Sequence, residues 1–254
     1  MATPTINRIW YSSRLWTPAL LSTSLWLDAN DSSTVVLNGS TVSQWNDKSG
    51  NDRHVAQTNS TLQPVYNATG FDGKPSIDFL NDVLWRASWG DMSQPFTRLI
   101  VFRPLTIASP AHIWNSDILG TSTVNNVADF FSNMNGTMSQ YALYHCNGRI
   151  LTVGTNYLRI SEFNTTNSRV YHDGTLVGTA NSGGNAARGI TIGGRSGGDA
   201  PTAPANWRIA EAILINGILS TEDRQKVEGY LAHKWGLTAN LPVNHPYKAS
   251  PPMA

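Results

Sequence analysis

The chain has 254 residues and a formal net charge of +1, and only 14% of its residues are Asp, Glu, Lys or Arg, well under the roughly 25% of an average soluble domain. With no cluster of Lys or Arg, it lacks the electrostatic footprint that nucleic acid or an anionic membrane requires of a partner. A 40% hydrophobic share and a single cysteine, Cys146, describe one core that fills itself, with neither an intrachain disulfide nor a multi-cysteine zinc site.

Residues 1–22 read as an N-terminal arm and 23–254 as one domain. The arm carries Ile6, Ile9, Trp10, Tyr11, Leu15 and Trp16, but Pro4 and Pro18 interrupt any long helix. Two fates are open for its apolar side chains: folding back on the arm's own domain, or insertion into a neighbouring subunit. The arm has no continuous apolar run of the signal-peptide kind, and no stretch of the chain reaches membrane-spanning length.

From Ser24 onward, short β-prone runs alternate with turn clusters, which predicts an all-β domain. The expected strands are Leu25 to Leu27, Thr41 to Trp45, Pro75 to Phe79, Phe96 to Phe102, Ala111 to Trp114, Asp129 to Ser132, Gln140 to His145, Tyr157 to Phe163, Ser168 to His172, Ile190 to Ile192 and Arg208 to Ile215. Turns are expected at residues 47–52, at Asp72-Gly73 and at Asp173-Gly174, where Asn, Asp and Gly tolerate positive φ. Asp173-Gly174 is the strongest hairpin signal, with β-prone residues on both sides. One helix is expected over 220–235, with Ser220 as N-cap, acidic residues in its first turn, Val227, Tyr230, Leu231 and Trp235 at helical spacing, and Gly236 as its stop. Leu237 to Ala254 is punctuated by proline and reads as an extended tail.

The acidic residues argue against hydrolysis. Glycosidases use two carboxyl groups about 5 Å apart, or about 6.5–9.5 Å apart, and no glutamate here has an acidic residue two positions on, as a pair on one strand face would require. Glu222 and Glu228 read as solvated helix positions. Glu211, on an apolar strand, calls for a structural partner such as an arginine. No metalloprotease, α/β-hydrolase or P-loop signature is present. Loop aromatics beside Asn and Asp suit a sugar instead, because a ring packs on a sugar face while polar groups fix its hydroxyls. The candidates are Trp85, Trp89, Trp114, Tyr144, Asn125 and Asn126.

Three segments together carry a resemblance to one family. They are Ser24-Leu25-Trp26-Leu27-Asp28-Ala29 with Val42-Ser43-Gln44-Trp45-Asn46-Asp47-Lys48-Ser49-Gly50; Val170-Tyr171-His172-Asp173-Gly174; and Ile209-Ala210-Glu211 running through the helix to His245-Pro246-Tyr247. Their order resembles the concanavalin A-like lectin and glucanase superfamily in its laminin-G-like form. The resemblance implies a two-sheet antiparallel β-sandwich, a jelly roll, with one C-terminal helix packed on it. Such domains occur in bacterial surface and exported proteins and in bacteriophage tail and virion proteins. The leading expectation is therefore a non-enzymatic virion component, a capsid decoration or tail-associated subunit, made in the host cytoplasm and contacting other virion proteins and further copies of itself. The alternative is a lectin module that recognises a host-surface polysaccharide, on a virion or at a bacterial surface, and a weaker one is a degenerate glycoside hydrolase. The resemblance also implies that calcium is possible at the rim, with Asp117, Asp129 and Asp199 as candidate ligands; no other cofactor is expected.

Overall fold

The computed structural model describes residues 14–86, 89–107, 111–116, 127–131, 137–142, 145–195, 202–204 and 206–254. Among these the backbone forms β1 (Thr23–Asp28), β2 (Val35–Asn38), β3 (Thr41–Trp45), β4 (Val55–Ala56), β5 (Val65–Phe71), β6 (Lys74–Leu80), β7 (Leu84–Arg86) and β8 (Phe96–Pro104). It continues with β9 (Ala111–Asn115), β10 (Ala128–Phe131), β11 (Thr137–Tyr141), β12 (His145–Ile150), β13 (Tyr157–Phe163), β14 (Ser168–His172), β15 (Thr175–Ala180), β16 (Ile190–Ile192) and β17 (Asn206–Asn216). A single α-helix, α1 (Thr221–Trp235), follows.

All pairings between these strands are antiparallel. They trace one path, from β15 through β14, β13 and β8 to β17, whose far edge is shared by β6 and β1. From β6 the path runs through β5, β3, β4, β7, β16, β9, β10 and β11 to β12, with β2 paired to β3. The last strand, β12, then lies against β14 and β15, so the sheet curls until its ends meet. The all-β expectation holds in this form: a nearly closed antiparallel sheet, with hydrogen bonding that runs on where two separate sheets were expected.

Sequence periodicity follows from what lies on each face. β8 sends Phe96, Ile100 and Phe102 into the enclosed core and Leu99 and Val101 to the outer face; β13 likewise divides Tyr157 and Phe163 from Leu158 and Ile160. A strand covered on both sides carries apolar residues at successive positions instead of alternating ones, as Leu99 to Phe102 do in β8. What covers the outer face is α1. Ser220 caps it by accepting the Asp223 N–H at 3.0 Å, and Gly236 ends it at φ 76°. Val227, Leu231 and Trp235 bury against β1, β8, β13 and β17, each fully buried Val or Leu side chain contributing roughly 1.5–3 kcal/mol. Gly229 has no side chain because the tail runs too close: a Cβ there would stand 2.4 Å from the Cβ of Tyr247. Lys248 holds the tail by donating to the carbonyls of Thr238 and Ala239 at 3.0 and 3.1 Å.

Several local expectations change. The run Gln140 to His145 is not one strand, since β11 ends at Tyr141 and β12 begins at His145. β2, β4, β5 and β7 were missed because they are short or polar. Glu228 is not solvated; it lies buried, bonded to Arg224 at 2.6 Å and His245 at 3.1 Å. The arm residues within the described part fold back on their own domain: Leu15 bridges Met253, Trp16 N–H donates to the Pro252 carbonyl at 3.0 Å, and the Trp16 ring packs edge-on against Tyr230. Trp16 is buried while Leu15 stays 57% exposed. Ile6, Ile9, Trp10 and Tyr11 lie outside the described residues.

The Asp173-Gly174 turn has the expected two positive φ angles, 50° and 79°, joining His172 to Thr175, and Asp72-Gly73 turns the same way at 53° and 85°. Asp173 does more than turn the chain. Only 6% exposed, its carboxylate accepts the Leu158 N–H at 3.0 Å. Burial pushes its pKa from 3.8 up to about 6, against the pull of the Leu158 N–H, Arg149 and Asn240. A carboxyl held above its unfolded value favours the protonated fold, so its contribution is complete below about pH 4 and lost as pH rises through about 6. Asn tolerates the same left-handed backbone and carries no charge to desolvate. Asp173→Asn is therefore expected to match the parent at pH 4 and to exceed it by about 1–3 kcal/mol at pH 7, read from urea unfolding at the two pH values. Parallel pH profiles for the two proteins would refute this.

Candidate functional site

A polar cleft is built around Trp89, one of the aromatic residues singled out from sequence. It has a volume of about 430 Å³ and is lined by Ser24, Arg53, Trp89, Asp91, Met92, Ser93 and Asn216. Its position follows from the strands, because Ser24 is the second residue of β1, Asn216 closes β17 and Phe96 opens β8, so the cleft lies at the end of the sheet where these three meet.

Its walls are held by a loop whose purpose the sequence only hinted at. In the 47–52 turn the Asp47 carboxylate accepts from the N–H groups of Trp26 and Ser49 at 2.8 Å each, from the Ser49 hydroxyl at 2.8 Å and from the Arg53 N–H at 3.0 Å. Asn51 ties the same loop to the carbonyl of Thr23 at 3.1 Å. Arg53 is thereby aimed across the cleft, where it donates to the Ser24 carbonyl at 3.1 Å and lays its guanidinium 4.9 Å from the Trp89 ring centre. Burial pulls the pKa of Arg53 down, Asp47 opposes this, and the like charge of Arg86 adds to it. Trp89 is fixed from the other side. Its backbone N–H donates to the Arg188 carbonyl at 3.0 Å, and Met92 and Ala187 exchange backbone hydrogen bonds at 2.8 and 2.9 Å. Arg188 then clasps Asp91 through two nitrogens, at 2.7 and 3.1 Å. The cleft thus offers an anchored, half-buried indole, a guanidinium, a carboxylate, an amide and hydroxyls. That is a set for gripping a neutral polar molecule, and it does not resemble a proton-transfer pair.

The other sequence candidates do not gather there. Trp85 is half-buried in the middle of β7, between Ala56 of β4 and Thr191 of β16. Trp114 is 1% exposed, with the Arg98 guanidinium 5.0 Å from its ring; it is a core residue, so its assignment to a sugar surface is corrected. Tyr144, Asn125 and Asn126 lie outside the described residues, as do Asp117 and Asp199. Asp129 does not fit a calcium site. It is 1% exposed inside the sheet, and its carboxylate takes the Ser161 hydroxyl at 2.6 Å, Arg159 at 3.0 Å and Arg98 at 3.7 Å. A carboxylate shared by two guanidiniums has little left to give a cation. Among the described residues no three His, Cys, Asp or Glu side chains cluster as metal ligands.

The search for carboxylate pairs within one strand missed a pair across two. Asp28 of β1 stands in register opposite Glu211 of β17. Both are buried beneath α1, and Lys234 bonds the two of them, at 2.8 Å to Asp28 and 2.7 Å to Glu211. The Glu211 oxygens also accept the indole N–H groups of Trp26 at 2.7 Å and Trp235 at 2.6 Å. Glu211 has the structural partner it was expected to need, a lysine and two indoles in place of an arginine. The residues of the Trp89 cleft that sequence reasoning did not name are Arg53, Asp91, Met92, Ser93 and Asn216; Arg53 and Asn216 are remote from Trp89 in the chain and joined to it only by folding.

No family model matches the sequence, and no curated protein matches it. Solved structures do share its fold. Domain 4 of an extracellular arabinanase from Geobacillus stearothermophilus, in complex with arabinotriose, superposes with a TM-score of 0.57 at 11% identity, covering 79% of this chain and 95% of that one. The Trypanosoma rangeli sialidase in complex with sialic acid gives a TM-score of 0.51 at 13% identity, over 84% of this chain and 33% of that one. The binding domain of Paraclostridial Mosquitocidal Protein 1 gives 0.57 at 10% identity, over 82% and 52%. The chain thus spans about a third of the sialidase and about half of the mosquitocidal domain.

Proposed function

We propose that this protein is a carbohydrate-binding domain of the concanavalin A-like, jelly-roll kind, acting without turnover through the Trp89 cleft. The observation that carries this reading is the indole of Trp89, on a backbone hydrogen-bonded to Arg188 and with the Arg53 guanidinium against its ring, beside Asp91, Ser93 and Asn216. An aromatic body with a few fixed polar groups in a shallow hollow is the general chemistry of sugar recognition. The arabinanase domain of similar fold holds arabinotriose, which supports this reading over the virion structural role expected first from sequence. The non-enzymatic part rests on Asp28 and Glu211, which share Lys234 out of reach of solvent.

The test is a glycan array followed by titration calorimetry with the best hits, arabinotriose included as a fixed probe. Trp89→Ala is expected to weaken binding roughly 5- to 30-fold, the 1–2 kcal/mol of an aromatic anchor, with the urea midpoint measured alongside to show that the fold persists. Unchanged affinity in Trp89→Ala, or an array on which no glycan binds, overturns the proposal.

A further inference from the structure

A second hollow lies at the opposite end of β8, and nothing in the reading above uses it. It has a volume of about 310 Å³ and is lined by Arg149, Thr152, Thr155, Tyr157, Asp173 and Asn240, at the low end of the roughly 300–1,000 Å³ of small-molecule sites. Four separate stretches meet here: the end of β12, the 151–156 loop into β13, the β14–β15 turn and the 3-10 turn after α1.

The hollow is organised before any ligand arrives. The Thr152 N–H donates to the Tyr157 hydroxyl at 2.9 Å, and the Gly154 N–H donates to the Pro104 carbonyl at 2.9 Å, with Gly154 at φ 80°. Arg103 donates to the Asn156 side chain at 2.6 Å, and Asn156 donates to Asp72 at 2.7 Å, which ties the loop to the neighbouring turn. The Asp173 carboxylate forms the floor. One oxygen accepts the Leu158 N–H, the other stands 3.9 Å from Arg149, and Asn240 donates to the same group. Arg149 lies 5.9 Å from the Tyr157 ring centre. The floor is buried, whereas Arg149, Thr152, Thr155 and Asn240 are exposed at the mouth.

We propose that this hollow is a second binding site, for a polyhydroxylated ligand the size of one sugar ring, held between the Asp173 carboxylate and the donors of Asn240 and Arg149. A buried carboxylate with spare lone pairs beside an amide and a guanidinium accepts and donates at neighbouring points, as adjacent hydroxyls on a ring require. A free cation finds no second carboxylate in the hollow's lining, and an apolar ligand would displace water from Arg149, Thr152, Thr155 and Asn240 without replacing its hydrogen bonds. The domain then carries sites at both ends of β8, able to engage two sugars at once. The ligand class rests on the carbohydrate reading; the position of the site does not.

The test follows backbone amides and the Trp89 indole by NMR as the full chain is titrated with L-arabinose, D-galactose and D-mannose, with open-chain sorbitol alongside. At least one of the sugars is expected to shift Leu158, Asp173 and Asn240, and sorbitol is expected not to. Asp173→Asn, which is expected to be no less stable than the parent at pH 7, should weaken that response about tenfold or more and leave the indole response of Trp89 in place. Trp89→Ala should leave the shifts at Leu158, Asp173 and Asn240 in place. Shifts at the Trp89 indole alone would overturn the second site and spare the first. Shifts at Leu158 that survive Asp173→Asn, or that sorbitol matches, would overturn the mode of binding proposed. Silence at both ends would overturn both readings.

Discussion

Replacing Glu211 by Ala is expected to destabilise the protein by about 3–5 kcal/mol, the range for removing one member of a buried ion pair. Glu211 is buried where β17 meets α1, and burial together with the negative charge of Asp28 pushes its carboxyl upward while Lys234 draws it back. Its two oxygens satisfy two indole N–H groups and an ammonium at once. Alanine leaves Trp26 and Trp235 as buried donors without an acceptor, each costing about 1–3 kcal/mol, and leaves Lys234 paired with Asp28 alone. Glu211→Gln keeps the volume but turns one acceptor into a donor facing a donor, so it too is expected to lose stability, by about half as much. Urea unfolding followed by tryptophan fluorescence reads both variants. Adding Lys234→Ala gives a double-mutant cycle, expected to show a coupling of about 1–3 kcal/mol. A loss below 1 kcal/mol in Glu211→Ala would show that α1 docks by its apolar face alone.

The second large effect is expected inside the sheet. Asp129→Ala removes the carboxylate that Arg98 and Arg159 share, leaving the Arg98 guanidinium among Trp114, Phe96 and Phe163 and Arg159 beside Ser161 and His172 with no counter-charge from Asp129. Arg98 already feels this environment, with burial pulling its pKa from 12.5 down to about 10 in spite of Asp129. His172, bonded to Arg159 at 2.8 Å, is held well below its ordinary pKa first by burial and then by the neighbouring arginines, so it stays neutral and adds no counter-charge. The expected cost is again about 3–5 kcal/mol, visible as a lower urea midpoint with an unchanged m-value. Asp129→Asn keeps acceptors for Ser161 and one guanidinium and should lose less. If Asp129→Ala is as stable as the parent, the buried arginines are held by other groups.

These two clusters mark where reading along the chain stops being sufficient. Glu211 was recognisable as a residue in need of a partner because an ionised carboxylate in an apolar run has no other outlet. Its partners were not recognisable, since Lys234 and Trp235 sit on the helix and Trp26 lies 185 residues away. Asp129 looked like a rim ligand because nothing local distinguishes an aspartate facing solvent from one facing Arg98 and Arg159. Trp114 was misplaced for the same reason. The Trp89 cleft falls between these cases: its indole was named as a loop aromatic near Asn- and Asp-bearing segments, while Arg53 and Asn216 joined it only through the meeting of β1, β8 and β17.

By itself the sequence determined the all-β character, the helix with its Ser220 cap and Gly236 stop, and the Asp173-Gly174 turn. Each of these is governed by backbone preferences and burial patterns within a dozen residues. Only the tertiary structure decided that the sheet curls until its end strands meet, which charged side chains become neighbours inside it, and where the two polar hollows open. The physical reason is range: capping, turn geometry and side-chain period act over a few residues, whereas ion pairing, burial and the shape of a cleft depend on segments that are remote in the chain and adjacent in space.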